Sequence, residues 1–216
     1  MPEKKEITPA GLFNIFIVYF VWGSTYLAIR IGVREGSGFP PFTFSGLRII
    51  IAGLILLAWG KIRGKAIKPT RRDFLTILVS SVLLWIGGNG LVVMAERRID
   101  SSLAALILSS TPIWVAAYEA ILDKRLPHWR VIFSLLIGFG GIFVLSIPVL
   151  TSGIQADVLS LLLTISASLS WGLGTVIQSR RPMVLSTTVS SGYQQLIGGI
   201  VFAILILIFR EPIPTP

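Results

Sequence analysis

The chain contains no cysteine and one histidine among 216 residues, and only 13% of it is charged. Without cysteine there is neither a disulfide framework nor a thiolate metal site. The lone histidine, His128, stands in a basic stretch with Lys124, Arg125 and Arg130 and reads as a solvated loop residue, not a ligand. No aspartate lies within an apolar run, so the paired acids, nucleophile–base pairs and metal clusters that enzymes need are nearly all missing. No cofactor is expected. Soluble domains carry about 25% charged residues. At 13%, with 53% hydrophobic residues and a mean hydropathy of +0.82, most of this chain cannot be solvated surface. The class is an all-α polytopic membrane protein. The net charge of +9 would suit nucleic acid. The basic residues lie in short bridges between apolar runs, however, where lipid topology accounts for them. The bilayer is the expected partner and nucleic acid is not.

What the chain does have is apolar length. A bilayer core needs about 20 apolar residues in a helix. That ruler predicts seven spans, at Gly11–Ile31, Pro41–Trp59, Phe74–Ala95, Ser101–Leu122, Val131–Leu150, Val158–Gln178 and Ser190–Phe209. Runs this long point to helices, not barrel strands. The first run follows MPEKKE like a signal peptide, but it is span-length and lacks a convincing cleavage site, so it reads as a retained helix. Lys4 and Lys5, the bridge Lys61–Arg72, the bridge Lys124–Arg130, and Arg180 with Arg181 all fall on one side. Basic loops are cytoplasmic, which places the N-terminus inside.

Two segments repeat. VWGSTYLAIR in span one resembles SWGLGTVIQS in span six, with Trp22-Gly23 matching Trp171-Gly172 at an offset of 149. Ser45-Gly46-Leu47-Arg48 faces Ser191-Gly192-Tyr193-Gln194 at an offset of 146, and Gly53 and Gly199 keep that offset. A unit of five spans makes the second copy enter from the opposite side, the inverted repeat of secondary transporters. The expected organisation is a cytoplasmic tail at 1–10, a complete first repeat at 11–150, an external linker at 151–157, and the start of a second repeat at 158–216. The second repeat would then be truncated after two helices, seven of an expected ten.

The chain resembles the EamA-like branch of the drug/metabolite transporter superfamily. The resemblance rests on Val21-Trp22-Gly23-Ser24, on Pro40-Pro41-Phe42 with Leu47-Arg48, and on Gly88-Asn89-Gly90 with Ala95. SSLAALILSSTPIW from Ser101 to Trp114, Gly138 to Leu145, and Ser170-Trp171-Gly172 complete it. It implies ten helices in two inverted repeats, an inner (plasma) membrane location with both termini cytoplasmic, and movement of small metabolites, often amino acids or related compounds, usually outward. One departure stands out. After span four the family often has a Gly-Glu-Arg-like turn, and here Asp123-Lys124-Arg125 stands. Lys124 cannot replace a glutamate that served coupling or a structural pair.

The substrate-cavity candidates are Trp22, Ser24, Thr25, Tyr26, Arg48, Asn89, Trp171 and Gln194. Aromatic rings would supply apolar contact, and the amides and the arginine would supply orientation. Arg48 lies about 10 Å into its span at 1.5 Å per residue. It reads either as an anchor for a carboxylate substrate or as a side chain snorkelling to the interface. Asn89, between two glycines, reads as interhelical packing or as a substrate contact. Glu119 reads as a helix-end partner of Lys124 or another basic loop residue before it reads as a proton relay. Pro112 should bend span four, its freed carbonyl bonded by Ser109, Ser110 or Thr111. Gly23, Gly138, Gly141 and Gly172 are packing candidates; Gly138, Gly140 and Gly141 lack the spacing of a phosphate loop. Ser166, Ser170 and Gly174 share a stripe that could line a pore or pack.

The leading function is a secondary transporter, a permease or exporter, working by alternating access. A small-molecule substrate, an ion or proton for coupling, and a second copy of the chain are the candidate partners. A membrane sensor or scaffold, an intramembrane enzyme, and a truncated chain without activity are the alternatives.

Overall fold

The computed structural model describes residues 8–34, 39–151 and 158–212. Residues 1–7 of the expected N-terminal tail and 152–157 of the expected linker lie outside the described residues, while Pro9 and Ala10, expected in the tail, already belong to the first helix. The described residues form seven helices and no strand: α1 (Pro9–Val33), α2 (Pro41–Ile62), α3 (Arg71–Ala95), α4 (Ser101–Asp123), α5 (Trp129–Thr151), α6 (Val158–Arg180) and α7 (Thr187–Phe209). Six are long and apolar enough to cross a membrane; the described apolar stretch of α5, Trp129–Gly141, is shorter than a span. Large apolar side chains such as Phe13, Phe16, Phe20 and Leu207 face outward, as a lipid-solvated bundle requires.

Local chemistry sets the ends. Thr8 accepts from Gly11 N–H ahead of Pro9, which suits the first helical position. The chain enters α2 through Pro40-Pro41, and the free N–H groups of Phe42 and Thr43 donate to the Glu211 carboxylate at 2.9 and 2.8 Å. Thr70 and Asp73 form a reciprocal capping box that opens α3. Asp73 also accepts from Val184 N–H at 3.2 Å, fastening the α6–α7 bridge to α3. Thr70→Ala should lower stability by about 1 kcal/mol, read as a reduced melting temperature of the detergent-solubilised chain. Asp73→Ala should lower it further, because both attachments go.

Two helices depart from regularity. α4 breaks at Ser109-Ser110, just before Pro112. The Leu108 carbonyl, which the proline cannot serve, accepts from Thr111 Oγ1 at 2.6 Å. Ser109 and Ser110 bond the carbonyls of Leu106 and Ile107 in the same way. α3 is π-helical over Val82–Gly90. A widened turn costs least where glycines cluster, here at Gly87, Gly88 and Gly90, and the Leu83 carbonyl accepts from Ser170 Oγ at 2.8 Å. Ser170 and Gly174 therefore pack on α3, while Ser166 is exposed.

α2 and α7 form the closest helix pair and run antiparallel. A Cβ on Gly53 would lie 2.9 Å from the Gly192 carbonyl oxygen, and one on Gly192 would lie 3.2 Å from the Gly53 carbonyl oxygen. Gly53 also meets Leu196, while Gly199 meets Ile50. Only glycine lets two backbones approach so closely. Gly172 serves a similar purpose on α6, its missing Cβ lying 3.0 Å from Trp114 on α4. The close approach expected at Gly23, Gly138 and Gly141 is not seen among the described residues. Nothing lies within 4 Å of a Cβ placed there, because Gly23 opens onto a cavity and the α5 glycines onto open space.

Candidate functional site

A cavity of about 1020 Å³ lies between α1, α4, α5 and α6. Its walls are mostly apolar and aromatic. Trp22 from α1 and Trp171 from α6 meet edge to face, with ring centroids 6.4 Å apart. This geometry sets the positive edge of one ring against the negative face of the other. Tyr19, Gly23 and Tyr26 extend the α1 wall. Tyr26 and Trp171 also pack against a buried cluster of Val92, Leu108 and Ala167, so the wall is fixed by the core behind it. Trp22 itself remains 55% exposed.

The α4 break supplies the opposite wall with Ser109, Thr111 and Pro112. Their position is held by α6: Ser168 Oγ lies 3.1 Å from Ser110 Oγ and 3.0 Å from Thr111 Oγ1. Trp114 Nε1 donates to Ser110 Oγ at 3.1 Å. The kink is thereby bonded to the helix that carries Trp171. At one end the cavity is bordered by Glu119, Asp123, Arg125, Leu126 and Pro127. Arg180 binds Glu119 and lies 2.7 Å from Asp123 Oδ1. Glu119 is thus a helix-end partner, but of Arg180 at the end of α6 and not of Lys124. Lys124 instead adopts a left-handed conformation, φ 51°, that closes α4.

The sequence-derived candidates fall in three places. Trp22, Tyr26 and Trp171 line the cavity. Ser24 and Thr25 turn their hydroxyls to the Val21 carbonyl at 3.0 and 2.7 Å and do not line it. Arg48 and Asn89 are joined to each other through Arg48 Nη2 and Asn89 Oδ1, and Arg48 also sits 5.6 Å from the Phe44 ring centroid. Neither borders the cavity. Gln194 is buried against α6, donating to Gln178 Oε1 at 3.2 Å, while its carbonyl accepts from Ser81 Oγ.

Sequence reasoning missed Glu96, which follows α3 directly. Its side chain is fully buried, 0% exposed, and neither carboxyl oxygen has a hydrogen-bond partner among the described residues. Burial pushes its carboxyl up to about 8, against the opposing pull of Arg30 and Arg48. In the sequence it opens Glu96-Arg97-Arg98, which looks like a solvated span end. Only the tertiary fold encloses it.

A family model for EamA-like transporters matches residues 9–147. The chain is 30% identical over 200 residues to the uncharacterized inner membrane transporter YedA of Escherichia coli K12, covering 91% of this chain and 62% of that protein. It is 22% identical over 205 residues to the uncharacterized transporter YoaV of Bacillus subtilis, covering 94% and 68%. It is 24% identical over 202 residues to the S-adenosylmethionine/S-adenosylhomocysteine transporter of Chlamydia muridarum, covering 90% and 62%. The chain therefore spans 62% of the length of YedA.

Proposed function

The chain belongs to the EamA-like transporter family, and from that premise we propose that it is a multi-pass inner-membrane permease for small metabolites, working by alternating access between two inverted repeats. The first repeat is assigned to 11–150 and the start of the second to 158–216, joined by the external linker 151–157, with a cytoplasmic tail at 1–10. Reciprocal contact supports this assignment. Under the offset of 146, Gly46 corresponds to Gly192, Ile50 to Leu196 and Gly53 to Gly199. Gly53 meets Gly192 as Gly46 meets Gly199, and Gly53 meets Leu196 as Gly199 meets Ile50. Such exchanged pairs are what a two-fold axis generates, each surface meeting its own counterpart. Trp22 and Trp171, equivalent under the other offset, touch each other.

The observation that carries the function is that this tryptophan pair walls the large cavity. The substrate class is an amino acid or related compound bearing a cationic or aromatic group. Tryptophan and tyrosine faces attract cations and stack on flat rings, and Tyr19, Trp22, Tyr26 and Trp171 line the cavity. One relative's name, S-adenosylmethionine/S-adenosylhomocysteine transporter, fits that chemistry, so labelled S-adenosylmethionine and labelled amino acids are the probes. With the basic loops assigned to the cytoplasm, the Glu119–Asp123 end of the cavity is the cytoplasmic end, and export is the assigned direction. A transporter is preferred to an enzyme because the family and the named relatives are transporters.

The test is counterflow of the probes in vesicles holding the chain. Trp22→Ala and Trp171→Ala should each raise the half-saturating concentration about tenfold, the worth of one aromatic contact of about 1–2 kcal/mol. Ser24→Ala, whose hydroxyl bonds its own backbone off the cavity, should leave that concentration within about twofold. Equal saturation in the wild type and both tryptophan variants would remove the cavity assignment.

A further inference from the structure

The end of the bundle that carries Arg30, Pro41 and Glu96 holds an acid whose carboxyl oxygens have no hydrogen-bond partner among the described residues. Two guanidinium groups act on Glu96 electrostatically, yet each is committed elsewhere. Arg30 Nη1 donates to the backbone carbonyls of Glu96 and Arg97 at 2.7 and 2.8 Å, and its Nη2 lies 4.0 Å from Asp100 Oδ1. Arg48 donates to Asn89. The titratable and charged groups that interact with the carboxyl are Arg30 and Tyr26 from α1 and Arg48 from α2; Arg97, Arg98 and Asp100 follow it in its own segment. From α4 and α6 come apolar chains, Leu103, Ala104, Leu161 and Leu163, packed with Ala95 and Ile99.

A buried carboxylate with no hydrogen bond is among the costliest arrangements in a protein. The neutral acid avoids most of that cost, and burial favours it. The same two arginines offer an alternative. If either swung from its present acceptor to Glu96, the ionised form would gain a bidentate partner, and the present fastening of α1 or α2 to this end would be released. Tyr26 connects the two regions, since it lines the cavity and interacts electrostatically with Glu96.

We propose that Glu96 is a proton-binding site of the transport cycle, holding a proton in the conformation described here and releasing it when Arg30 or Arg48 turns to its carboxylate. The proton leaves a carboxyl oxygen for water, and the guanidinium exchanges a carbonyl or amide oxygen for the carboxylate. This rests on the permease reading. It adds that the coupling species is a proton and that the site lies outside the substrate cavity. Loss of the proton at Glu96 and release of α1 or α2 from this end of the bundle then become one event.

The experiment has two arms. In the first, infrared difference spectra of the lipid-reconstituted chain are recorded from about pH 6 to about pH 10. The wild type should show a protonated-carboxyl band titrating near pH 8. Glu96→Gln should lack it, and Glu96→Asp should keep a band with a displaced midpoint. A wild-type spectrum identical to that of Glu96→Gln across the range means that Glu96 is already ionised and overturns the proposal. In the second arm, vesicle uptake of labelled S-adenosylmethionine is followed against pH. The wild-type rate should fall about tenfold per pH unit above the midpoint, as the protonated fraction does, and the Glu96→Gln rate should be flat. Identical pH dependence in both overturns the coupling. Absence of wild-type uptake at every pH overturns the permease reading alone, and the infrared titration then decides Glu96.

Discussion

Gly53→Leu and Gly192→Leu should each abolish recovery of a monodisperse chain. At both positions backbone is among the nearest neighbours. A Cβ on Gly53 already lies 2.9 Å from the Gly192 carbonyl oxygen and 3.0 Å from the Leu196 side chain, and one on Gly192 lies 3.2 Å from the Gly53 carbonyl oxygen and 2.9 Å from the Leu57 side chain. Backbone cannot rotate away as a side-chain tip can, so the leucine forces α2 and α7 apart along their whole contact. Inserting even one methylene into a packed core costs about 1–3 kcal/mol, and four heavy atoms against a carbonyl cost more. Gly138→Leu and Gly141→Leu provide the control, because nothing lies within 4 Å of a Cβ at either site. Size-exclusion profiles of the four variants in one detergent check this. Equal recovery of all four would mean that the α2–α7 contact does not hold the bundle together.

Glu96→Gln should flatten the pH dependence of stability. The carboxyl's ordinary value is 4.5, and in the fold it is raised to about 8. Below about 4.5 the group is protonated in both folded and unfolded chains and contributes no slope. Between the two values the folded chain keeps a proton that the unfolded chain has released, so stability falls as pH rises. Above about 8 both forms are ionised and the decline ends. Each pH unit inside that window is worth about 1.4 kcal/mol, a total on the order of a few kcal/mol. Melting temperatures of wild type and variant across this range isolate the effect, because every other group is common to both. A difference curve that rises through the window and levels near pH 8 is expected. A flat difference curve would mean that the folded chain holds Glu96 ionised.

Much of the architecture could be read from residue order. Apolar length bounded by basic bridges located the helices, with ends moved outward by a few residues where caps such as Thr70–Asp73 and Ser186 extend them. Pro112 announced the break in α4 and a local hydroxyl for the orphaned carbonyl, and of the three candidates Thr111 serves it. The glycines at an offset of 146 fall at the α2–α7 contact. Other features depend on what lies opposite in space. The π-helical turn of α3 depends on Ser170 from α6. Arg48 is turned from the cavity by Asn89, a residue 41 positions away. Glu96 resembles a solvated helix end until the fold buries it, with Arg30 bonded to its backbone carbonyl. Within the site, the tryptophans were legible because a repeated Trp-Gly is rare in a plain anchor. Ser24 and Thr25 were not, because a hydroxyl in a membrane helix can satisfy itself on its own backbone.

The proposed transport cavity has Trp22 and Trp171 in its wall, and counterflow of the probe panel in vesicles tests it, with wild type, Trp22→Ala and Trp171→Ala at matched protein content. Saturable wild-type exchange is expected, with a half-saturating concentration that rises about tenfold in each variant. Wild-type exchange that saturates at the same concentration in all three would contradict it.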